Sequence, residues 1–140
     1  GLCASNKEFI SWILKVKSNI DSGTFRGLQL AAAEAYTNTD EWHHEANYTI
    51  YKRRRVIAEE IMMTLGCTFD HTQVGMFLWG RIPDSYKDCE ELTERVLHEA
   101  RVFITPGFIF GSNGERYIRI SLCAKDEKMQ EALDRIKARM

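Results

Sequence analysis

An arginine in the middle of a predicted strand is the residue of this chain best suited to bind a ligand. Residues 116–122 alternate, and one face carries three apolar residues: Ile118, Ile120 and Leu122. Arg119 then projects from the opposite face, between Tyr117 and Ser121, which could line the same wall. Its planar guanidinium suits bidentate recognition of a carboxylate. From the pattern alone a solvent-facing arginine is favoured, because antiparallel sheets often leave one face in water.

A basic run, Lys52 followed by Arg53, Arg54 and Arg55, is the next candidate, because it could contact phosphate. Consecutive helical positions point around the helix, however, and make no single patch. No aromatic residues are interleaved with them, as a nucleic-acid platform would require. We therefore predict a solvated helix face and no nucleic-acid partner.

Histidine and cysteine pairs raise the question of a metal. His43 and His44 are adjacent, and neighbouring positions of a helix diverge by about 100°, so the two cannot chelate one ion. Cys67 and His71 have a plausible spacing, but Gly66 places them in a loop. A tetrahedral zinc site needs three or four ligands, and no second pair is evident. We predict no metal site.

Other catalytic signatures are missing from the sequence. It contains no nucleophile elbow, phosphate-binding loop or dinucleotide fingerprint. The segment 107–111 has a glycine at each end and aromatic residues inside, where loops are usually polar. It indicates either a buried hinge or a pocket wall, to which Phe108, Phe110 and Trp79 could give an apolar lining.

The elements that must position these residues follow from periodicity and capping. Predicted helices cover residues 6–20, 25–36, 40–65, 88–100 and 126–139. Predicted strands cover residues 74–82, 102–104 and 116–122. Ser5 and Glu8 have the spacing of a capping box, and Gly66 ends the long helix. This order predicts an α+β, two-layer fold: a small antiparallel-containing sheet covered by helices and preceded by long helices.

Composition restricts the setting of this fold. The length of 140 residues suits one domain. The net charge of −1 gives no overall electrostatic attraction to an acidic partner. No apolar run approaches the roughly 20 residues of a membrane helix, and the first residues do not read as a signal peptide. Four dispersed cysteines are expected to be reduced, core-filling thiols in a cytoplasmic protein: Cys3, Cys67, Cys89 and Cys123.

Two segments near the end of the chain resemble the closing motif of class I and II aminotransferases. Residues 105–111 read TPGFIFG, and residues 114–122 read GERYIRISL, close to the family pattern TPGxxFG followed by GxxxxRIS. Segments 21–33 and 75–79 resemble the family's helical hairpin and the first strand of its small domain. Gly1–Ser5 resembles the strand that leaves the cofactor site. The likeness covers the whole chain in the family's order.

The resemblance implies a C-terminal small domain of fold type I, spanning residues 1–140, with interdomain helices in roughly 6–65. Such enzymes are homodimers that bind pyridoxal phosphate between a large and a small domain and act on amino acids and 2-oxo acids. The cofactor lysine would precede Gly1, since none of the eight lysines stands in its motif. No catalytic or cofactor-binding residue is therefore expected here, and the fragment alone should be inactive.

The resemblance also reverses the interpretation of Arg119, which matches the family arginine that binds the substrate's α-carboxylate. Two other functions stay open. One is a non-catalytic, aminotransferase-like sensing or interaction domain of a regulator, and the other is a related pyridoxal-phosphate lyase. Fold alone does not separate them.

Overall fold

The computed structural model describes residues 3–140, which divide into two compact units. The first unit ends at Trp42, and the second covers His43–Met140. Gly1 and Leu2, which begin the segment resembling the family's strand, lie outside the described residues.

The first unit contains two helices, α1 (Lys7–Ile20) and α2 (Arg26–Thr37), as predicted within one residue at each end. The cap of α1 is Asn6 rather than Ser5, since the Asn6 side chain accepts a hydrogen bond of 3.0 Å from the Phe9 amide. Neither helix contains a buried residue. The predicted stripe of α1 is therefore exposed: Phe9, Ile13, Val16 and Ile20.

The long helix predicted over 40–65 is divided into three segments. They are α3 (Thr39–His43), a π-helical segment (His44–Tyr51) and α4 (Lys52–Thr64). Gly66 follows α4 with a φ of +72°, as predicted for a helix-ending glycine. The apolar periodicity of 40–65 predicts one buried side, but of its residues only Ile61 and Leu65 are buried. The complete set is Trp42, Ala46, Ile50, Ile57, Ile61 and Leu65.

The sheet has three antiparallel strands in the order β1 (Phe77–Arg81), β3 (Tyr117–Ser121), β2 (Thr105–Pro106). The strand predicted at 102–104 is wrong, because pairing with β3 begins only at Thr105. A cavity of 270 Å³ is lined by residues 102–105 on one side and by 119–121 on the other.

Helices α5 (Cys89–Ala100) and α6 (Asp126–Arg139) pack with α4 against one face of the sheet. Asp88 caps α5 by accepting a 3.0 Å hydrogen bond from the Glu91 amide. The fully buried side chains come from all three helices and both long strands: Met62, Leu78, Leu92, Val96, Ile118, Leu133 and Ile136. The predicted α+β, two-layer fold is confirmed.

The outer edge of β1 is covered by a one-residue backbone bridge between Thr68 and Arg81 and, two residues earlier in the strand, by a side chain. The Gln73 amide donates a 2.8 Å hydrogen bond to the Trp79 carbonyl and accepts a 2.9 Å bond from the Trp79 amide. Gln73 thereby satisfies the backbone groups that an exposed edge would offer to another chain. It also holds β1 at the residue that lies opposite Arg119 in the sheet.

The basic run is not a solvated face, and the prediction for it is wrong at two of its positions. Arg54 donates from Nε to Asp126 at 2.9 Å and from Nη1 to the Leu122 carbonyl at 3.1 Å, which ties α4 to the start of α6. This hydrogen bond lowers the pKa of the Asp126 carboxyl. Arg55 pairs with Glu59 at 3.0 Å and is also largely buried. Tertiary pairing, which spacing within one helix does not show, accounts for Arg54, whereas Arg55 pairs with a residue one turn later in the same helix.

The cysteines divide into two kinds. Cys67 and Cys89 are buried in the core, whereas Cys3 and Cys123 are exposed, so the core-filling prediction holds for two of the four. Burial raises the pKa of the Cys67 thiol to about 12, which keeps it protonated and unreactive at neutral pH. Within residues 3–140 no helix has the length and apolar character needed to cross a membrane.

The Arg116 side chain holds the loop between β1 and α5 by hydrogen bonds to the loop backbone. Its Nη1 donates to the carbonyls of Tyr86 at 2.6 Å and Lys87 at 2.8 Å. Its Nη2 donates to the carbonyl of Pro83 at 2.8 Å. One guanidinium thus satisfies three backbone acceptors that have no partner in a strand or helix.

We expect Arg116→Met to destabilise the protein by about 2 kcal/mol, because hydrogen bonds from a charged group to these carbonyls are lost together. Denaturant unfolding gives this value, and amide hydrogen exchange should show the loosening confined to residues 83–87. Arg81→Met is the matched control, since the Arg81 guanidinium forms an ion pair at 2.8 Å with the exposed Asp84, which Arg116 also contacts at 3.3 Å. Equal losses in the two variants would contradict the assigned role.

Candidate carboxylate-binding site

Arg119 lies at the centre of β3, the middle strand of the sheet. Its neighbours in the register are Trp79 on β1 and Thr105 on β2. Ile118 and Leu122 are buried beneath the helices, so Arg119 points to the opposite side, as the alternation predicts. The half-buried guanidinium is therefore anchored on the most constrained strand of the fold.

Two aromatic rings enclose the guanidinium. Its Cζ lies 4.1 Å from the ring centroid of Phe77 and 4.1 Å from that of Phe110. The Trp79 ring is 6.0 Å away, and it supports Phe110 edge-on at a centroid distance of 5.2 Å. Ring faces at these distances attract a cation without offering it a hydrogen-bond acceptor.

The hydrogen-bonding capacity of Arg119 is unfilled. Its Nε is buried and has no partner, and no acidic residue of the described chain forms an ion pair with it. Arg55 also has an unpaired buried nitrogen, Nη2, but its charge is balanced by Glu59. A buried donor without an acceptor costs about 1–3 kcal/mol, so an added hydrogen-bond acceptor would be favoured at this nitrogen. A carboxylate is such an acceptor.

The loop between β2 and β3 brings Phe110 to the site. Residues 107–110 and 112–114 form two 3-10 turns, separated by Gly111 with a φ of +121°. Gly107 and Gly114 touch: an added Cβ on Gly107 would lie 2.3 Å from the Gly114 carbonyl oxygen. The aromatic, glycine-flanked segment thus places one of its rings, Phe110, against the guanidinium. Phe108 and Ile109 are exposed.

The sequence analysis named two of the three aromatic residues near the Arg119 guanidinium and missed the third. Trp79 and Phe110 were predicted as an apolar lining, and both are within 6.0 Å of the guanidinium. Tyr117 and Ser121 share the face, yet the enclosing rings come from the neighbouring strand and the loop. Phe77 was missed, although the period of two in the strand 74–82 places it on the same side as Trp79.

All eight lysines of the chain are exposed. Lys128 lines the cavity that Arg119 also borders, but its side chain is 74% exposed and pairs with Glu131 at 2.9 Å. In the part of the chain that the structure describes, no three His, Cys, Asp or Glu residues are grouped to bind a metal. His71 lies in a loop, exposed, 3.8 Å from Glu59.

The fold is an α+β domain whose central strand presents an arginine with a buried, unpaired donor. Residues 1–136 match the family of class I and II aminotransferases. The chain belongs to this family and corresponds to its C-terminal small domain, as the motifs predicted.

Similar proteins include LL-diaminopimelate aminotransferases. That of Oleidesulfovibrio alaskensis is 36% identical over 135 residues, covering 96% of this chain and 34% of the relative. That of Aquifex aeolicus is 36% identical over 137 residues, covering 98% and 35%. Among solved structures, an aminotransferase of Staphylococcus aureus is 31% identical with a TM-score of 0.75, covering 96% of this chain and 35% of that one. The chain thus spans about a third of the length of the relatives it matches.

Proposed function

We propose that this chain is the substrate-binding small domain of a pyridoxal-phosphate-dependent aminotransferase, which transfers an amino group between an amino acid and a 2-oxo acid. The observation that carries the proposal is Arg119, enclosed by aromatic rings with its donors unfilled. In this role Arg119 binds the α-carboxylate and fixes the orientation of the amino acid. Positioning of this kind contributes up to about 7–11 kcal/mol to lowering a barrier.

The cofactor would be held by the remainder of the protein. When bound, pyridoxal phosphate supplies the electron-withdrawing ring that stabilises negative charge at Cα. The exposed lysines here do not fit its binding, which supports a cofactor lysine in a large domain outside this chain. The exposed apolar stripe of α1 supports the assignment of interdomain helices to roughly 6–65. We propose a cytoplasmic homodimer for the full protein.

LL-diaminopimelate is the first donor to test, because the similar aminotransferases act on it by name. The experiment supplies the full-length protein, loaded with cofactor, with LL-diaminopimelate or other L-amino acids and with 2-oxoglutarate as acceptor. Amino transfer that requires both substrates supports the proposal. Release of ammonia or a thiol without the acceptor indicates a lyase. Binding without any turnover indicates a sensing domain.

The 140-residue chain alone is expected to be inactive. Mixed with pyridoxal phosphate, it should leave the visible absorbance of the cofactor unchanged and should transfer no amino group. The physical reason is that an exposed lysine has no surrounding protein groups that would keep water away from a bond to the cofactor, so such a bond is hydrolysed. A stable spectral change at stoichiometric cofactor would overturn the assignment of the lysine to the rest of the protein.

A further inference from the structure

We propose that Phe77 and Phe110 are positioning residues for substrate binding, which hold the Arg119 guanidinium in one plane before the carboxylate arrives. This inference rests on the proposed function, because it assigns these rings a role toward the same ligand. It adds two residues on separate elements, one on β1 and one in the loop before β3.

The first argument is the geometry of the stack. Both ring centroids lie 4.1 Å from Cζ of Arg119, so the cation contacts two aromatic rings. A free arginine side chain samples many rotamers and loses that freedom when it binds. A guanidinium already held between rings loses less, and it therefore binds its ligand more tightly.

The second argument is that the rings leave the N–H donors of Arg119 free for a ligand. An acidic partner would restrain Arg119 equally well, but it would occupy the in-plane N–H donors that a carboxylate needs. Ring faces restrain the cation through its π surface and occupy none of those donors. This arrangement explains why Arg119 is restrained and yet unpaired, with its Nε lacking an acceptor.

The neighbouring contacts show that the rings are themselves supported. Trp79 packs edge-on against Phe110 at 5.2 Å, and Gln73 bonds both backbone groups of Trp79. Phe77 lies on β1 in register with Ser121, two residues beyond Arg119 on β3. Phe77 is thus held by the pairing of β1 with β3, and Phe110 in the loop is held by its contact with Trp79.

The test measures KM and kcat of the full-length holoenzyme carrying Phe77→Leu, Phe110→Leu or both. Each single change should raise KM for the amino acid about tenfold and change kcat less than about threefold, the size expected when a desolvated cation–π contact is lost. Phe110→Tyr should restore a near-normal KM, since Phe110 is 49% exposed and has room for a hydroxyl. Phe108→Leu is the matched control in the same loop and should have no effect.

A second substrate separates positioning from simple damage to the fold. The corresponding amine, which lacks the α-carboxylate, should react equally well with the wild-type enzyme and with the leucine variants. Equal losses for the amine and the amino acid would overturn the inference. Arg119→Lys, measured alongside, distinguishes the two proposals: if it leaves KM unchanged, the proposed function fails. If it raises KM while the leucine variants do not, only the role of the rings fails.

Discussion

Replacing Arg119 by alanine in the full-length enzyme is expected to lower kcat/KM for the amino acid by about a hundredfold or more, or at least about 2.7 kcal/mol of transition-state stabilisation. The substrate's carboxylate loses a charge-assisted, bidentate partner, and the groups that enclose it are apolar and cannot replace that partner. Phe77 and Phe110 would then face the carboxylate directly. The measurement is steady-state kinetics with the donor identified above.

Two further variants show whether the loss arises from carboxylate recognition. Arg119→Lys keeps the charge but not the planar fork, so its kcat/KM should lie between those of wild type and alanine. Arg81→Ala removes an arginine from β1, on the same face of the sheet, where it pairs with the exposed Asp84. It should leave kcat/KM nearly unchanged. A loss below about fivefold for Arg119→Ala would show that Arg119 is structural.

The sequence predicted those features of the site that depend on local periodicity. The period of two in β3 gave the face of Arg119, and the period of the last helix gave α6 over its observed residues, Asp126–Arg139. Asp88 begins α5 as its position before an apolar repeat predicts. These signals are local because a strand or helix face is defined by its own neighbours in the chain.

The rest of the site depends on pairing between distant segments, which no local pattern encodes. Val102–Ile104 has the composition of a strand, but only Thr105 and Pro106, which follow it, pair with β3. Arg54 looked like a solvated residue, yet its partners lie about 70 positions later in the chain, at Leu122 and Asp126. Phe77 meets Arg119 only because β1 and β3 adopt one particular register.

Gly107→Ala is the second change for which we expect a large effect, and the cause is steric. The added Cβ would lie 2.3 Å from the Gly114 carbonyl oxygen and 2.5 Å from that of Tyr117. Both atoms belong to the backbone, so neither can move aside as a side chain can. We expect a loss of about 3 kcal/mol or more in the free energy of unfolding, which is in the range of severe core damage. KM should also rise, because the displaced loop carries Phe110.

Chemical unfolding of the full-length protein measures the loss, and Ser112→Ala, an exposed position of the same loop, should leave stability unchanged. If Gly107→Ala lowered the free energy of unfolding only slightly, the loop would accommodate the added Cβ easily. The close contact would then not be needed for stability.

Gly114→Ala gives a sharper test, because its Cβ would lie 2.0 Å from the Gly107 carbonyl oxygen, across the same contact. Either substitution alone must push the two backbone segments apart. Once they are separated, the second substitution meets little further obstruction. The double variant should therefore lose clearly less than the sum of the single losses, as coupled neighbours do. Additive losses would mean that the two glycines act independently, and the close approach of the two turns would then not be what holds Phe110 against Arg119.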